Sequence, residues 1–149
     1  MLGMHELHNN LYSTLGLAPQ VAGDNTALST AIIDLKGYRS VEFYILTGNL
    51  ADPDATFAVT MTAGDAVDDV ANPTSITDSA AADADCLIGT LAGASFTFAA
   101  DGAVRRIGYS PGRGAGRRYV RLTITPSGNS GNAPLAVLAL RLPHGRPVA

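Results

Sequence analysis

Apolar side chains return at every second position in three separate segments, and a period of two admits a half-buried β-strand but not an amphipathic helix. Phe57, Val59 and Met61 alternate with Thr56, Ala58, Thr60 and Thr62; Phe96 and Phe98 alternate with Ser95, Thr97 and Ala99. Val120, Leu122 and Ile124 alternate with Tyr119, Arg121, Thr123 and Thr125. Each segment has one apolar and one polar face, and its β-branched content suits a pleated surface. Two more segments are apolar on both faces. Val41–Thr47 is interrupted by Glu42 alone, which places it inside a sheet. In Ala133–Leu142, Leu135, Val137 and Ala139 form one face, and Leu138, Leu140 and Leu142 the other. Such a strand is either central or covered by a partner, because an open apolar edge invites aggregation.

Ala31–Leu35, Cys86–Leu91 and Val104–Tyr109 complete a set of about eight strands. Asp101-Gly102 signals a hairpin between the Phe96 and Val104 segments, and Pro111–Gly116 reads as a longer hairpin loop between Tyr109 and Arg117. Helix signals are confined to Met4, Leu7, His8 and Leu11, and to Thr77–Ala84 with Thr77 or Asp78 as cap. At 149 residues, with no dividing linker and no fixed-period repeat, the chain suits one domain. The expected fold is all-β: a single-domain antiparallel sandwich, a jelly roll in the first instance. A seven-stranded immunoglobulin-like sandwich is the alternative, without the Cys…Trp…Cys pattern of antibody domains. An apolar N-terminal arm over residues 1–17 is expected to precede a sandwich domain over 18–149.

Charge is divided along the chain. The total is −3, yet residues 1–101 hold all thirteen acids against Lys36 and Arg39, a net of −11. Residues 102–149 hold eight arginines and no acid. Arg105, Arg106, Arg113, Arg117, Arg118 and Arg121 fall within seventeen positions, on what the pattern reads as two adjacent strands and their joining tip. Such a basic ribbon suits bidentate pairing with carboxylates, either of a protein partner or of this chain's own acidic loops. The acidic pI of about 5.4 argues against nucleic acid as its target. Together with Leu135 and Val137 of the two-faced strand, these arginines are the expected partner-binding residues. Alanine supplies 24 residues, so the core is short of large side chains and a neighbour completing it is a natural reading.

No catalytic constellation emerges. His5, His8 and His144 lie near the termini, and Ser110 sits before a proline in a loop, not on a strand-to-helix elbow. Gly112-Arg-Gly-Ala-Gly116 lacks the Lys and the following helix of a phosphate-binding loop. Absence of Trp weighs against a sugar cleft, and no cofactor is expected. Asp65, Asp68 and Asp69, with Asp78, Asp83 and Asp85, lack the EF-hand pattern and read as solvated loops; whether they hold Ca²⁺ stays open. Lone Cys86 excludes an internal disulfide and reads as a small buried hydrophobe. The first ten residues do not form a secretory signal, and the longest apolar run, Leu135–Leu140, is far short of a membrane span. Folding in a cytoplasm is the expectation.

Ala31-Ile-Ile-Asp-Leu-Lys-Gly-Tyr38 with Ser40-Val-Glu-Phe43, Val104-Arg-Arg-Ile-Gly-Tyr109 and Arg118-Tyr-Val-Arg-Leu122 resemble a pattern of small virion proteins of tailed bacteriophages. So do Leu7-His-Asn-Asn10, Ala136-Val-Leu-Ala-Leu-Arg-Leu-Pro-His144 and Arg146-Pro-Val-Ala149, so the likeness runs over most of the chain from residue 7. It implies a structural protein of the head, foremost a decoration or cement protein on the outer capsid surface that bridges subunits of the major capsid protein. It further implies a homo-oligomer, dimer or trimer, assembled in the host cytoplasm. The longer Pro111–Gly116 tip departs from the pattern. A neck or tail adaptor and a carbohydrate-binding sandwich on the virion surface are the alternatives.

Overall fold

The computed structural model describes residues 6–66, 74–76 and 84–145. Its strands are β1 (Tyr12–Val21), β2 (Leu28–Ser29), β3 (Ile33–Asp34), β4 (Tyr38–Thr47), β5 (Thr56–Gly64), β6 (Thr74–Ile76), β7 (Leu87–Ile88), β8 (Phe96–Thr97), β9 (Val104–Tyr109), β10 (Tyr119–Ser127) and β11 (Pro134–Pro143). One short helix, α1 (Leu91–Ala94), is capped by the Thr90 side chain, whose oxygen accepts from the Gly93 N–H.

The strands form two antiparallel sheets, so the all-β sandwich expected from the period of two is what the chain adopts. One sheet runs β1–β11–β4–β9–β7, and the other β2–β10–β5–β6, with β3 also on β10 and β8 also on β5. Setting β1 and β11 aside, β2/β3–β10–β5–β8 faces β4–β9–β7, a jelly-roll order widened at the β4 edge. The alternating residues meet in the middle. Phe43, Ile45, Phe57, Met61, Ile107, Tyr109, Val120, Leu122, Ile124 and Val137 are all essentially removed from water. Phe57 and Phe96 stack with ring centres 4.7 Å apart. Cys86 is fully buried among them, as its setting implied.

Both expected hairpins are corrected. Among the described strands, β5 and β6 are the one pair that is consecutive in the chain and hydrogen-bonded to each other; all other neighbours in a sheet are distant in sequence. After Asp101-Gly102 the chain leaves β8 in one sheet and enters β9 in the other. Gly102 supplies the positive φ of 55° that the turn needs, and the Asp101 carboxylate accepts from the Leu50 N–H at 2.7 Å. Pro111–Gly116 likewise crosses between sheets, from β9 to β10. It is folded back on itself: a side chain at Gly116 would meet the Pro111 backbone, and the Tyr109 hydroxyl accepts from the Arg117 N–H at 2.7 Å. The Phe96–Phe98 alternation also stops early, because β8 ends at Thr97 and a 3₁₀ turn carries Phe98 outward.

The boundary expected at residue 17 falls within β1, which pairs with β11 from Tyr12↔Arg141 to Val21↔Pro134. β11 is central along the sheet, between β1 and β4. The helix signal at Met4 falls partly outside the described residues; within them, Leu7–Leu11 closes a single turn. The Thr77–Ala84 signal lies outside them except for Ala84, which opens a 3₁₀ turn.

Candidate interaction surface

Register determines which side chains share the outer face of each sheet, since directly opposed residues point the same way. On the five-stranded sheet, Leu15 of β1 opposes Leu138 of β11, which opposes Tyr44 of β4 and then Arg106 of β9. The next row is Ala136, Leu46 and Val104. In the other direction follow Ser13, Leu140, Glu42 and Gly108, the last beside Ile88 of β7. All of these point away from the core. Leu15 is 59% exposed, Val104 57%, Leu46 40% and Ile88 38%, while Leu138 and Leu140 are half-exposed. The result is one contiguous apolar sheet face in water.

Two kinds of charge sit on it. Arg106 is exposed on β9 in the Tyr44 row, while Arg105, opposite buried Ile45, points to the other side of the strand; neither meets a carboxylate at salt-bridge distance among the described residues. Glu42 is half-buried, its carboxylate lying across bare Gly108, where any side chain would collide with it. Burial raises the Glu42 pKa, and the Arg106 charge pulls it the other way.

The expected basic ribbon is not one surface. β9 and β10 belong to different sheets, so Arg105 and Arg106 on β9 part company with Arg121 on β10 and with Arg117 and Arg118, which lead into it. Arg118 grips Asp34 through two parallel bonds of 2.7 Å. Those bonds hold the Asp34 carboxyl down to about 2 and raise the Arg118 pKa further. Arg117 pairs with Asp65 at 2.9 Å, and Arg113 donates to the Leu87 carbonyl at 3.1 Å. Arg121 stands on β10 opposite Thr62. Of the two destinations weighed for these charges, Arg117 and Arg118 thus meet this chain's own acids.

Leu135 and Val137 are likewise corrected: at 2% and 0% exposure they face the opposing sheet and hold the core. Leu138 and Leu140 occupy the outward positions instead. The signal for this face was present in the sequence, because β4 and β11 are both apolar on two sides and turn out to be neighbours. Reading β4 as interior, and β11 by itself as either central or covered by a partner, hid the outer face that the two share. Among the described residues, no cluster of three His, Cys, Asp or Glu is placed to hold a metal ion. Asp68, Asp69, Asp78 and Asp83 lie outside them. No helix there is long and apolar enough to cross a membrane.

Fold and surface together define an antiparallel β-sandwich whose outer faces differ sharply in polarity. No protein-family model and no curated protein matches the chain. Among solved structures, the crystal structure of PBSX exported protein XepA is similar, with a TM-score of 0.54 and 12% sequence identity. The match covers 93% of this chain and 39% of that one, so this chain spans about two fifths of its neighbour's length. At that identity the likeness is one of fold.

Proposed function

We propose that this chain is a non-enzymatic structural protein of a tailed-phage particle, a decoration protein that seats on the outer capsid and bridges major capsid subunits. The observation that carries the reading is the apolar outer face of the five-stranded sheet, edged by Arg106. A sheet face with this many apolar side chains in water marks an assembly surface. Two supports stand beside it. The resemblance of Val104–Tyr109 and Ala136–His144 to small virion proteins falls on β9 and β11, two strands that build the face. The fold is also similar to that of PBSX exported protein XepA.

Bridging stabilises a shell because the bound protein favours the assembled state over the dissociated one. Repeated copies at symmetric positions add by avidity, so each contact can be modest. For the carbohydrate reading, Tyr109 is in the core and Tyr38 and Tyr119 lie beneath Arg141 and Arg118, which leaves Tyr12 and Tyr44 as its platforms. The test adds purified protein to capsids prepared without it, followed by co-sedimentation and thermal melting of the shell. Binding with a raised melting temperature is expected; capsids that neither bind the protein nor gain stability would sink the proposal.

A further inference from the structure

The apolar face also carries the charges needed to recognise itself. Glu42 and Arg106 occupy adjacent strands and adjacent rows, one step apart across the sheet and one step along it. A face-to-face pair of identical sheets is related by a two-fold axis lying in the plane of contact. Whether that axis follows the strands between β4 and β9 or crosses them between the two rows, Glu42 of one copy comes within side-chain reach of Arg106 of the other. The reverse contact forms at the same time. Tyr44 then lies beside the axis in either arrangement, with Leu138 on the next strand, and both carboxylates leave water opposite a guanidinium.

We infer that the outer face of the five-stranded sheet is covered by a second copy of this chain, joined by reciprocal Glu42–Arg106 pairs. The inference uses the same face as the functional proposal and names its occupant, which leaves the rest of the surface to meet the particle. Edge-to-edge pairing through β1 is the weaker geometry, because register shifts at Leu15/Leu17 and Leu17/Gln20, with Pro19, interrupt that edge. Four strands about 4.8 Å apart, each giving about six residues at ~3.4 Å, present a face on the order of 400 Å². Doubled, this is below the roughly 1,600 Å² of a standard interface, so the dimer is expected to be reversible.

Sedimentation velocity on the full chain, from micromolar to near-millimolar concentration, tests this. The wild type is expected to pass from monomer to dimer. Leu138→Lys is expected to stay monomeric with its urea midpoint little changed, whereas Thr123→Lys on the other sheet keeps the dimer. Arg106→Glu should weaken association about tenfold, and adding Glu42→Arg should restore it, because the swap preserves reciprocal pairing. A wild type monomeric throughout overturns the inference, as does a Leu138→Lys variant that still dimerises. Capsid binding, read separately, keeps the two proposals apart. A monomeric wild type whose capsid binding is lost in Leu138→Lys gives the face to a particle protein, which overturns the dimer while supporting the decoration role.

Discussion

The two sheets share a core but meet water in opposite ways. Outward from β5 and β10 stand Thr56, Ala58, Thr60, Thr123, Thr125 and Ser127, with Ser29 beside them. Their hydroxyls satisfy one another and the backbone: Ser29 and Thr123 are 2.9 Å apart, and Thr56 donates to the Ser127 carbonyl. Outward from β11 and β4 stand Ala136, Leu138, Leu140, Tyr44 and Leu46. Both faces have the β-branched or bulky side chains that strands favour, so propensity alone does not distinguish them. Threonine gives a strand its stiffness while keeping the surface wettable; leucine gives the area without the wetting. The contrast teaches that the apolar face is not a by-product of making strands.

The largest expected effect separates the two sides of β11. Leu135→Ala removes a buried side chain and should cost about 2–5 kcal/mol, whereas Leu138→Ala, three positions on and facing outward, should cost under about 1 kcal/mol in dilute protein. Urea denaturation of both variants checks this. Equal losses would mean that Leu138 is already covered within the monomer, and the comparison of faces would collapse. A second experiment erases the contrast from the other side. Thr60→Val with Thr123→Val should leave the unfolding midpoint within about 1 kcal/mol of wild type, since both positions are outward and valine suits a strand. Light scattering should then reveal new self-association, because both outer faces would be apolar.

What could be read from sequence follows the range of the interactions involved. Alternation is local, so Phe57–Met61 and Val120–Ile124 point to their buried faces directly. Strand neighbours are not local here. Because nearly every connection crosses between sheets, Arg106 and Arg121, fifteen positions apart, end on different sheets, while Tyr44 and Leu138 become neighbours. The basic ribbon failed for that reason, and so did the choice of Leu135 and Val137 over Leu138 and Leu140. The period of two distinguishes the faces of a strand but cannot say which face looks inward when both are apolar. The pairing partner of Arg118 was beyond reach for the same cause, as Asp34 is 84 positions away.

Acid should separate the sheets by a smaller effect. Asp34, on the six-stranded sheet, is held to about 2 by the Arg118 bonds, below the usual carboxylate value of about 3.9. A depressed folded-state pKa adds stability that is fully present above the unfolded value and is lost as pH falls through about 2. Wild type should therefore lose its advantage over Asp34→Asn between pH about 4 and about 2. Urea midpoints at a series of pH values test this, and parallel curves for the two proteins would show that the pair contributes nothing. The pair is half-exposed, so salt should shrink the difference.

Glu42 should behave in the opposite sense, and its sign should depend on concentration. Burial raises its folded-state pKa, so in the monomer its ionised form is a liability at neutral pH that disappears as pH falls below the unfolded value. In dilute protein at pH 7, Glu42→Gln should therefore unfold at slightly higher urea than wild type, and the two should converge by pH about 4. At concentrations where copies associate, the same substitution removes an anion from opposite Arg106 and should favour the monomer. One variant would thus stabilise the isolated fold and weaken the assembly. If Glu42→Gln stabilised both, the carboxylate would have no partner across the face, and the apolar surface would have to be matched by a protein presenting no cation there.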